Sequence, residues 1–559
     1  MAQLIVPAEV EGEVLVCAQG LSFWGGVDPE SGRVIDAYHP QAGEALAGRI
    51  VMMPTSRGSC SGSGLLLALA LNGKAPAALV FREAEDILTL GAVIAATMFE
   101  RPLAVLRLSD DDYAALARQP AARIGGRVLE SAELTLPLER TSAEQLHLSA
   151  AERALLAGEA GPAARLAMET LCTMAVAQGA RDFVEVTRVH IDGCIYHSPA
   201  NLRFAETMAG MGARVRVPTT MNAISVDVAR WRGLGVPADF GLPASRLAEA
   251  YLEMGAQPSF TCAPYQLPDP PAAGEDIGWS ESNAVIYANS VLGARSAKHP
   301  DYLDLCIALT GRAPRAGVYL PENRQAQRRI AVELPKGYDD AFWPLLGWVA
   351  GQKAPDRIPL LTGLEAAAPS EDDLRALCAA FGTTSAAPLL HVAGVTPEGG
   401  RPAAAGADDA RITRADLAQA WRGFNAGAGQ VDLVSLGSPH FSLEETRRFA
   451  ALMEGRGEKA AVPVIITLSR ATYTTAEEEG LVARLEAAGV QILRDLCWCS
   501  IVEPVFPPAA RVLMTNSGKY AHYAPGLCGR EVRFGSLEDC ARAAETGQAP
   551  AAPPAWLEE

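Results

Sequence analysis

The chain has 559 residues, more than one hydrophobic core can organise, so several domains are expected. Hydrophobic residues make up 49% of it and charged residues 20%, which excludes a largely disordered chain and is typical of a soluble enzyme. The formal net charge of -17 argues against nucleic acid or an anionic membrane as the main partner, so an anionic ligand would need a local cluster of basic side chains.

The N-terminus carries no export signal, because the first residues lack a basic stretch followed by a long apolar segment. The apolar run at 65–71 is far shorter than the roughly 20 residues that cross a bilayer. The 11 cysteines form no Cys-x-x-Cys pair, which favours free thiols with a metal or catalytic role for a few. We therefore expect a cytoplasmic protein.

Residues 1–140 are predicted to form a small domain with a mixed sheet. Apolar runs that end at turns predict strands at 14–17, 34–36, 50–53, 78–81 and 103–106, and helices are predicted from 65 and at 89–96. A linker is expected at 141–148.

The stretch 54–64, between the strand at 50–53 and the first helix, is crowded with serines and glycines. Free N–H groups at a helix start favour an anion, and serines are suited to cap such a start. Arg57 adds a positive charge, so Ser59 could act as a base or nucleophile, with Ser61 and Ser63 as alternatives. Taken alone, the loop is more simply interpreted as a turn that caps a buried helix.

From Ser149 onward, strands alternate with helices, which predicts a largely parallel sheet architecture over 149–545 with several subdomains. Residues 350–410, rich in Ala, Pro and Gly, are expected to be connecting sequence around a buried piece at 387–395. Residues 546–559 are expected to form a mobile tail.

Loops at the carboxyl ends of parallel strands are where ligands bind in such folds. Several of these loops are rich in hydroxyls, cysteines and histidines, and each alone also has a purely structural interpretation. They are 190–197, 260–265, 279–283, 381–385, 437–440 and 515–520.

Several segments in these loops resemble the aconitase X family: Asp192-Gly193-Cys194, 261–265, 279–295, 309–312 and 516–520. The loop at 54–64 is similar to the small domain of that family, here fused in front of the large part. The resemblance implies an aconitase-like α/β fold, in which a β/β/α swivelling domain closes over three α/β/α subdomains. It also implies an iron centre held by cysteines in the cleft.

The fused arrangement implies a hydro-lyase that converts cis-3-hydroxy-L-proline to Δ1-pyrroline-2-carboxylate. Another dehydration substrate, such as mevalonate 5-phosphate, is the alternative within the family. A catalytically silent iron–sulfur sensor or binding protein is the alternative of another class. No macromolecular partner is implied by any of the three.

The resemblance implies Cys262 and Cys497 as iron ligands. Ser438 stands where many relatives have cysteine, so the third ligand stays open between Cys194 and Cys499, with Cys306 a weaker candidate. Bacterial relatives imply a [2Fe–2S] cluster, and mononuclear iron is the alternative.

Ser59 matches the serine base of aconitase-like enzymes, with Arg57 in support. Arg312 and Lys519 are expected to bind the substrate carboxylate, while Glu281 and His190 position the ring nitrogen or the departing hydroxyl. An internal ion pair is the alternative role for Arg312 and Glu281. Further substrate contacts are expected from Ser61, Ser282, Thr384, Ser385 and Ser517.

Overall fold

The computed structural model describes residues 2–36, 39–57, 59–456 and 459–558, so Gly58 of the serine loop lies outside the described residues. The chain forms a small N-terminal domain followed by three α/β subdomains. None of the described helices has both the length and the apolar character needed to cross a membrane.

The small domain is built on a nine-stranded sheet in the order β8-β7-β6-β2-β3-β4-β5-β1-β9, whose centre from β2 to β5 is parallel. Its central strands are short and apolar, and β3 and β4 are buried at every residue. The strands are β1 (Gln3–Val6), β2 (Val10–Val16), β3 (Ile50–Met53), β4 (Ala78–Phe81), β5 (Ala104–Arg107), β6 (Ala121–Gly125), β7 (Val128–Glu130), β8 (Thr135–Pro137) and β9 (Glu139–Arg140). The helices are α1 (Gly62–Leu71), α2 (Ile87–Phe99) and α3 (Asp110–Leu116).

The first subdomain has a parallel sheet in the order β12-β11-β13 and a separate antiparallel pair, β10-β14. Its elements are α4 (Ala150–Leu156), α5 (Pro162–Ala177), β10 (Phe183–Glu185), β11 (Val189–Ile191), α6 (Pro199–Gly210), β12 (Thr219–Met221), α7 (Ala238–Glu253), β13 (Gly278–Trp279), α8 (Ser282–Tyr287), α9 (Leu303–Thr310) and β14 (Arg312–Pro314). Helix α1 packs against α6, and α2 packs against α5. The small domain and the first subdomain therefore share one hydrophobic core.

The second subdomain has a four-stranded parallel sheet in the order β17-β16-β15-β18. Its elements are β15 (Arg328–Val332), α10 (Phe342–Lys353), β16 (Pro359–Thr362), α11 (Glu371–Thr384), β17 (His391–Val392), β18 (Asp408–Ile412) and α12 (Arg414–Phe424).

Residues 350–410, expected to be connecting sequence, instead supply much of this subdomain. Their small residues have a packing role, because α10 and α11 lie so close that a Cβ on Gly347 or Gly351 would collide with the backbone of α11. An alanine- and glycine-rich composition here marks closely packed helices, so it does not indicate a linker.

The third subdomain is a five-stranded parallel sheet in the order β21-β20-β19-β22-β23, with helices on both faces. The strand order reverses between β19 and β22, so the crevice at their carboxyl ends is the expected ligand position of a doubly wound sheet. Its elements are β19 (Leu433–Leu436), α13 (Leu443–Glu454), β20 (Val464–Leu468), α14 (Arg470–Glu478), α15 (Leu481–Ala487), β21 (Val490–Arg494), β22 (Val512–Thr515), α16 (Gly518–Cys528), β23 (Glu531–Phe534) and α17 (Leu537–Thr546).

The C-terminal segment packs against the second subdomain, where a mobile tail was expected. A short 3-10 helix at Ala555–Leu557 buries Trp556, whose ring meets Phe342 edge-on at the start of α10.

Candidate functional site

Three thiols converge where the first and third subdomains meet. Cys262 follows α7, and Cys497 and Cys499 follow β21. An isolated β-bridge pairs Ile224, which follows β12 of the first subdomain, with Leu496, the neighbour of Cys497 in the third subdomain. Cys262 and Cys497 are buried together with Ala223, and Cys499 packs against them.

Cys497 is the thiol of this cluster whose pKa is lowered. The thiols of Cys262 and Cys499 both donate hydrogen bonds to its sulfur, which hold the pKa of Cys497 well below its usual value. The same bonds, together with burial, raise the pKa of Cys262 and of Cys499. The backbone N–H of His440 donates to Cys262 Sγ at 3.2 Å, so the loop after β19 also contacts the cluster. The cluster thus favours a thiolate at Cys497.

The donor chemistry of this cluster fits iron, which accepts thiolate ligands. No group of three or more His, Cys, Asp or Glu within the described ranges already has the arrangement of a metal site. The three thiols are therefore a candidate ligand set by their chemistry and their shared burial. Of the two alternatives for a third ligand, Cys499 lies in the cluster. Cys194 lies apart, in the core of the first subdomain, with its thiol directed to the carbonyls of Ile191 and Asn222.

A buried ion pair lies beside the thiols. Lys519, in the first turn of α16, donates from Nζ to Glu281 Oε1 at 2.7 Å. Glu281 Oε2 accepts the N–H of Ala284 at 2.8 Å and so caps α8. Burial lowers the pKa of Lys519, but the charge of Glu281 and then those of the cysteines outweigh it and raise that pKa well above its usual value. Lys519 is therefore a cation held between a carboxylate and the thiol cluster.

The serine loop of the small domain reaches this region. The thiol of Cys60 donates to the carbonyl oxygen of Ser280 at 3.3 Å and lies 3.6 Å from the hydroxyl of Ser282, on either side of Glu281. The carbonyl of Cys60 accepts the N–H of Asp301 at 3.3 Å, and Ser63 Oγ donates to the Asp301 carbonyl at 3.1 Å. Ser59, next to Cys60, is thereby brought to the side of the large part that carries the ion pair.

The hydroxyls of this loop have different partners from those predicted. Ser61 stands at the N-cap position of α1, but its side chain does not cap the helix. Its hydroxyl lies close to the carboxylate of Asp301 and opposes the rise in the Asp301 pKa that burial causes. Ser59 Oγ donates to Ser61 Oγ at 3.4 Å and is half-buried. Its hydroxyl is thus the one left without a strong protein partner.

Three buried carboxylates lie near the loop: Asp192, which the sequence interpretation named only as part of a family motif, and Asp301 and Asp304, which it did not single out. Asp304 accepts the N–H groups of Asp192 and Gly193 at 2.7 and 3.2 Å. Burial, reinforced by the charge of Asp304, raises the pKa of Asp301 to about 7. Asp301 follows a Pro-containing loop that carries no recognisable motif, so nothing local in the sequence marks it.

Several residues expected to contact substrate are bonded to the protein itself. Ser517 caps α16 and donates to the Ser438 carbonyl, while Thr384 and Ser385 donate to the carbonyls of Trp348 and Ala354 at 2.9 and 2.6 Å. His190 is fully buried on β11 with Nδ1 2.8 Å from the Thr220 hydroxyl, and burial lowers its pKa to about 3. A neutral histidine in that position is suited to the packing of the sheet.

Arg312, which was expected to bind the substrate carboxylate, lies in an internal ion pair instead. Its Nε donates to Glu152 at 3.1 Å, and Nη1 lies 3.5 Å from Glu185 on the paired strand β10. This is the internal ion pair that the sequence left open as the alternative.

Replacing Arg312 tests this assignment. Arg312→Met is expected to lower the free energy of unfolding by about 3 kcal/mol, because it leaves the buried Glu152 without its partner. Thermal unfolding should show the loss, while the KM of the enzymatic reaction stays unchanged. A large rise in KM without loss of stability would return Arg312 to the substrate site.

The architecture and this site define a class: an α/β protein of aconitase-like design, with a small domain whose serine loop contacts the first of three subdomains and with three thiols clustered between the first and the third. The chain matches the aconitase X swivel domain over residues 1–130 and the first, second and third aconitase X domains over 145–322, 326–422 and 431–546. It belongs to the aconitase X family, which confirms the expected fold class and indicates an iron-based cofactor.

Two full-length relatives carry the same name. The chain is 51% identical to a cis-3-hydroxy-L-proline dehydratase of Pseudomonas aeruginosa, over 100% of this chain and 99% of that one. It is 46% identical to a cis-3-hydroxy-L-proline dehydratase of Hypocrea jecorina, over 97% and 94% of the two chains.

Relatives of the large part alone are more distant. The phosphomevalonate dehydratase large subunit of Methanothermobacter thermautotrophicus is 35% identical over 70% of this chain and 96% of its own. The crystal structure of Thermococcus kodakaraensis aconitase X in its holo-form is 30% identical, covers 71% of this chain and 100% of its own, and superposes with a TM-score of 0.66.

Proposed function

We propose that this protein is a hydro-lyase that removes water from cis-3-hydroxy-L-proline to give Δ1-pyrroline-2-carboxylate. The observation that carries the proposal is the contact of the serine loop with the residues on either side of Glu281, the carboxylate that is paired with Lys519. Identities of 51% and 46% to dehydratases of this name, over both the small domain and the large part, support the substrate.

The reaction needs a base at the α-carbon and stabilisation of the hydroxide that leaves the neighbouring carbon. Ser59 takes the α-proton as its alkoxide, which the positive charge of Arg57 supports, and the proton then passes to the departing hydroxide so that water leaves. The electron pair of the C–H bond forms the carbon–carbon double bond as the C–O bond breaks. The resulting enamine then shifts its double bond to nitrogen, which gives Δ1-pyrroline-2-carboxylate.

Lys519 and Glu281 are proposed to stabilise the negative charge that develops as the hydroxide leaves. The ammonium of Lys519 lies near the thiols and can stabilise negative charge that develops there. Glu281 holds Lys519 and, through the N–H of Ala284, is itself fixed to α8. This pair joins the first and third subdomains at the reacting centre.

Cys262, Cys497 and Cys499 are the residues that would hold iron. Bound iron supplies a Lewis acid for the departing hydroxyl, provided that one coordination position stays open. Three thiolates suit a [2Fe–2S] cluster with one iron site left for substrate, and mononuclear iron remains the alternative. All eleven cysteines are free, which supports the proposed cytoplasmic location.

A turnover assay tests the proposal. Anaerobically purified protein is expected to convert cis-3-hydroxy-L-proline to a product that reacts with o-aminobenzaldehyde, and to leave the other hydroxyproline isomers and mevalonate 5-phosphate unchanged. Turnover of mevalonate 5-phosphate would establish the other substrate. Bound iron without turnover of any of these compounds would favour the sensor interpretation.

A further inference from the structure

A cleft of about 900 Å³ lies between the small domain and the first and second subdomains. Ser56 and Arg57 line it on the side of the serine loop, and Thr383 to Ser385 line it at the end of α11. Because Ser56 and Arg57 lie close to Ser59 in sequence, this cleft opens next to the serine loop.

The cations that line this cleft differ in their partners. Arg82 lies within 4 Å of the carboxylates of Glu83 and Asp110. Across the described part of the chain, Lys298 and Arg57 have no carboxylate within that distance. Arg57 is exposed, whereas Lys298 is half-buried beside the loop. Lys298 is therefore a half-buried cation that forms no ion pair with any described residue.

The backbone around Lys298 is fixed from both sides. Ser296 accepts the N–H of Trp279 at 3.0 Å through its hydroxyl, and His299 lies 2.8 Å from the hydroxyl of Tyr319. Two residues further on, the N–H of Asp301 donates to the carbonyl of Cys60. The stem of Lys298 is thus held beside the serine loop, close enough for its charge to oppose the rise in the Cys60 pKa that burial causes.

The two cations expected to bind the substrate carboxylate are already engaged. Lys519 is bonded to Glu281, and Arg312 to Glu152. The remaining groups around the loop are predominantly acidic: Asp192, Asp301, Asp304 and Glu281. An anionic substrate entering this site needs an uncommitted positive charge, since the nearby carboxylates would repel it.

We propose that Lys298 binds the substrate carboxylate and is a specificity-determining residue of this enzyme. The inference rests on the proposed function, because it takes the substrate to be an α-amino acid. The carboxylate is one bond away from the carbon that loses its proton, so Lys298, on the segment whose Asp301 N–H donates to the Cys60 carbonyl, can hold that carbon near Ser59. Lys298 thereby favours substrates whose carboxylate is attached to the carbon that loses its proton, and it selects against substrates whose anionic group lies elsewhere.

Three variants test Lys298. Lys298→Met is expected to raise KM about 10- to 100-fold, the usual cost of losing a charge-assisted hydrogen bond, with a smaller change in kcat. Lys298→Arg should recover most of the affinity, because it restores the charge. Arg82→Met is the matched control, since it removes one charge from the same cleft but from a side chain already paired. A KM for Lys298→Met within twofold of the wild-type value would overturn the inference.

Calorimetric binding of L-proline and its amide separates this inference from the proposed function. The wild-type protein should bind the carboxylate more tightly than the uncharged amide, and Lys298→Met should lose that preference. A preference kept by Lys298→Met, or one absent from the wild-type protein, would overturn the role of Lys298 even if hydroxyproline is turned over. Absence of hydroxyproline turnover, with the preference present and dependent on Lys298, would overturn the proposed function instead.

Discussion

Ser59→Ala is expected to lower kcat by about 10²- to 10⁴-fold, the range that general-base catalysis contributes. The hydroxyl of Ser59 makes only a 3.4 Å contact with Ser61 and accepts the N–H of Ser61 at 3.3 Å, so its removal disturbs little of the fold. The iron content and the absorption spectrum of the protein should be unchanged. The measurement is kcat under saturating cis-3-hydroxy-L-proline, together with the thermal unfolding midpoint.

Two other serines of the loop serve as comparisons. Ser56→Ala removes a hydroxyl that donates to Glu85 Oε1 at 2.6 Å, on the side of the loop that faces α2, so kcat should hardly change. Ser61→Ala removes the hydroxyl near the Asp301 carboxylate and should have an intermediate effect by loosening the loop. If Ser61→Ala proves more damaging than Ser59→Ala, the base is Ser61. If Ser59→Ala keeps more than about a tenth of the wild-type kcat, Ser59 is not the base.

Features that depend on neighbours in sequence could be predicted from the sequence. The strand at 50–53 and the apolar helix after the serine loop follow from short-range patterns, and both are present as β3 and α1. The fused small domain and the three subdomains were also predicted, because the motifs of the family lie at strand ends that the fold brings together. The proposed roles of Ser59, Cys262 and Cys497 stay predictions.

Features that depend on contacts between distant segments of the chain could not be predicted from the sequence. Serine at a helix start predicts a cap, yet the Ser61 side chain does not cap α1 and lies near the carboxylate of Asp301, 240 positions along the chain. Arg312 was expected to bind the substrate carboxylate, with an internal ion pair as the alternative, and Glu152 from another element pairs with it. Lys298 has no local signal at all, since its role depends on which other cations are already paired. The sequence identifies charged side chains but does not show which carboxylates lie next to them.

The second large effect is expected from a substitution in the thiol cluster. Cys497→Ser should abolish iron binding and lower turnover by at least about 100-fold, because Cys497 is the sulfur whose low pKa favours the thiolate that a metal requires. Iron per chain is measured on anaerobically purified protein, with circular dichroism to show that the fold persists. Serine keeps the size of the side chain, so a loss of iron cannot be ascribed to a cavity.

Cys194→Ser is the matched control, because Cys194 is equally buried and was the alternative third ligand. Its thiol bonds only to backbone carbonyls, which a serine hydroxyl can also reach, so iron and turnover should both be retained. Cys499→Ser should behave like Cys497→Ser, since Cys499 packs against Cys262 and Cys497 in the same cluster. If Cys194→Ser loses iron while Cys499→Ser keeps it, the ligand set assigned from the packed thiols is wrong. In that case the first subdomain would have to rearrange to bring Cys194 to Cys262.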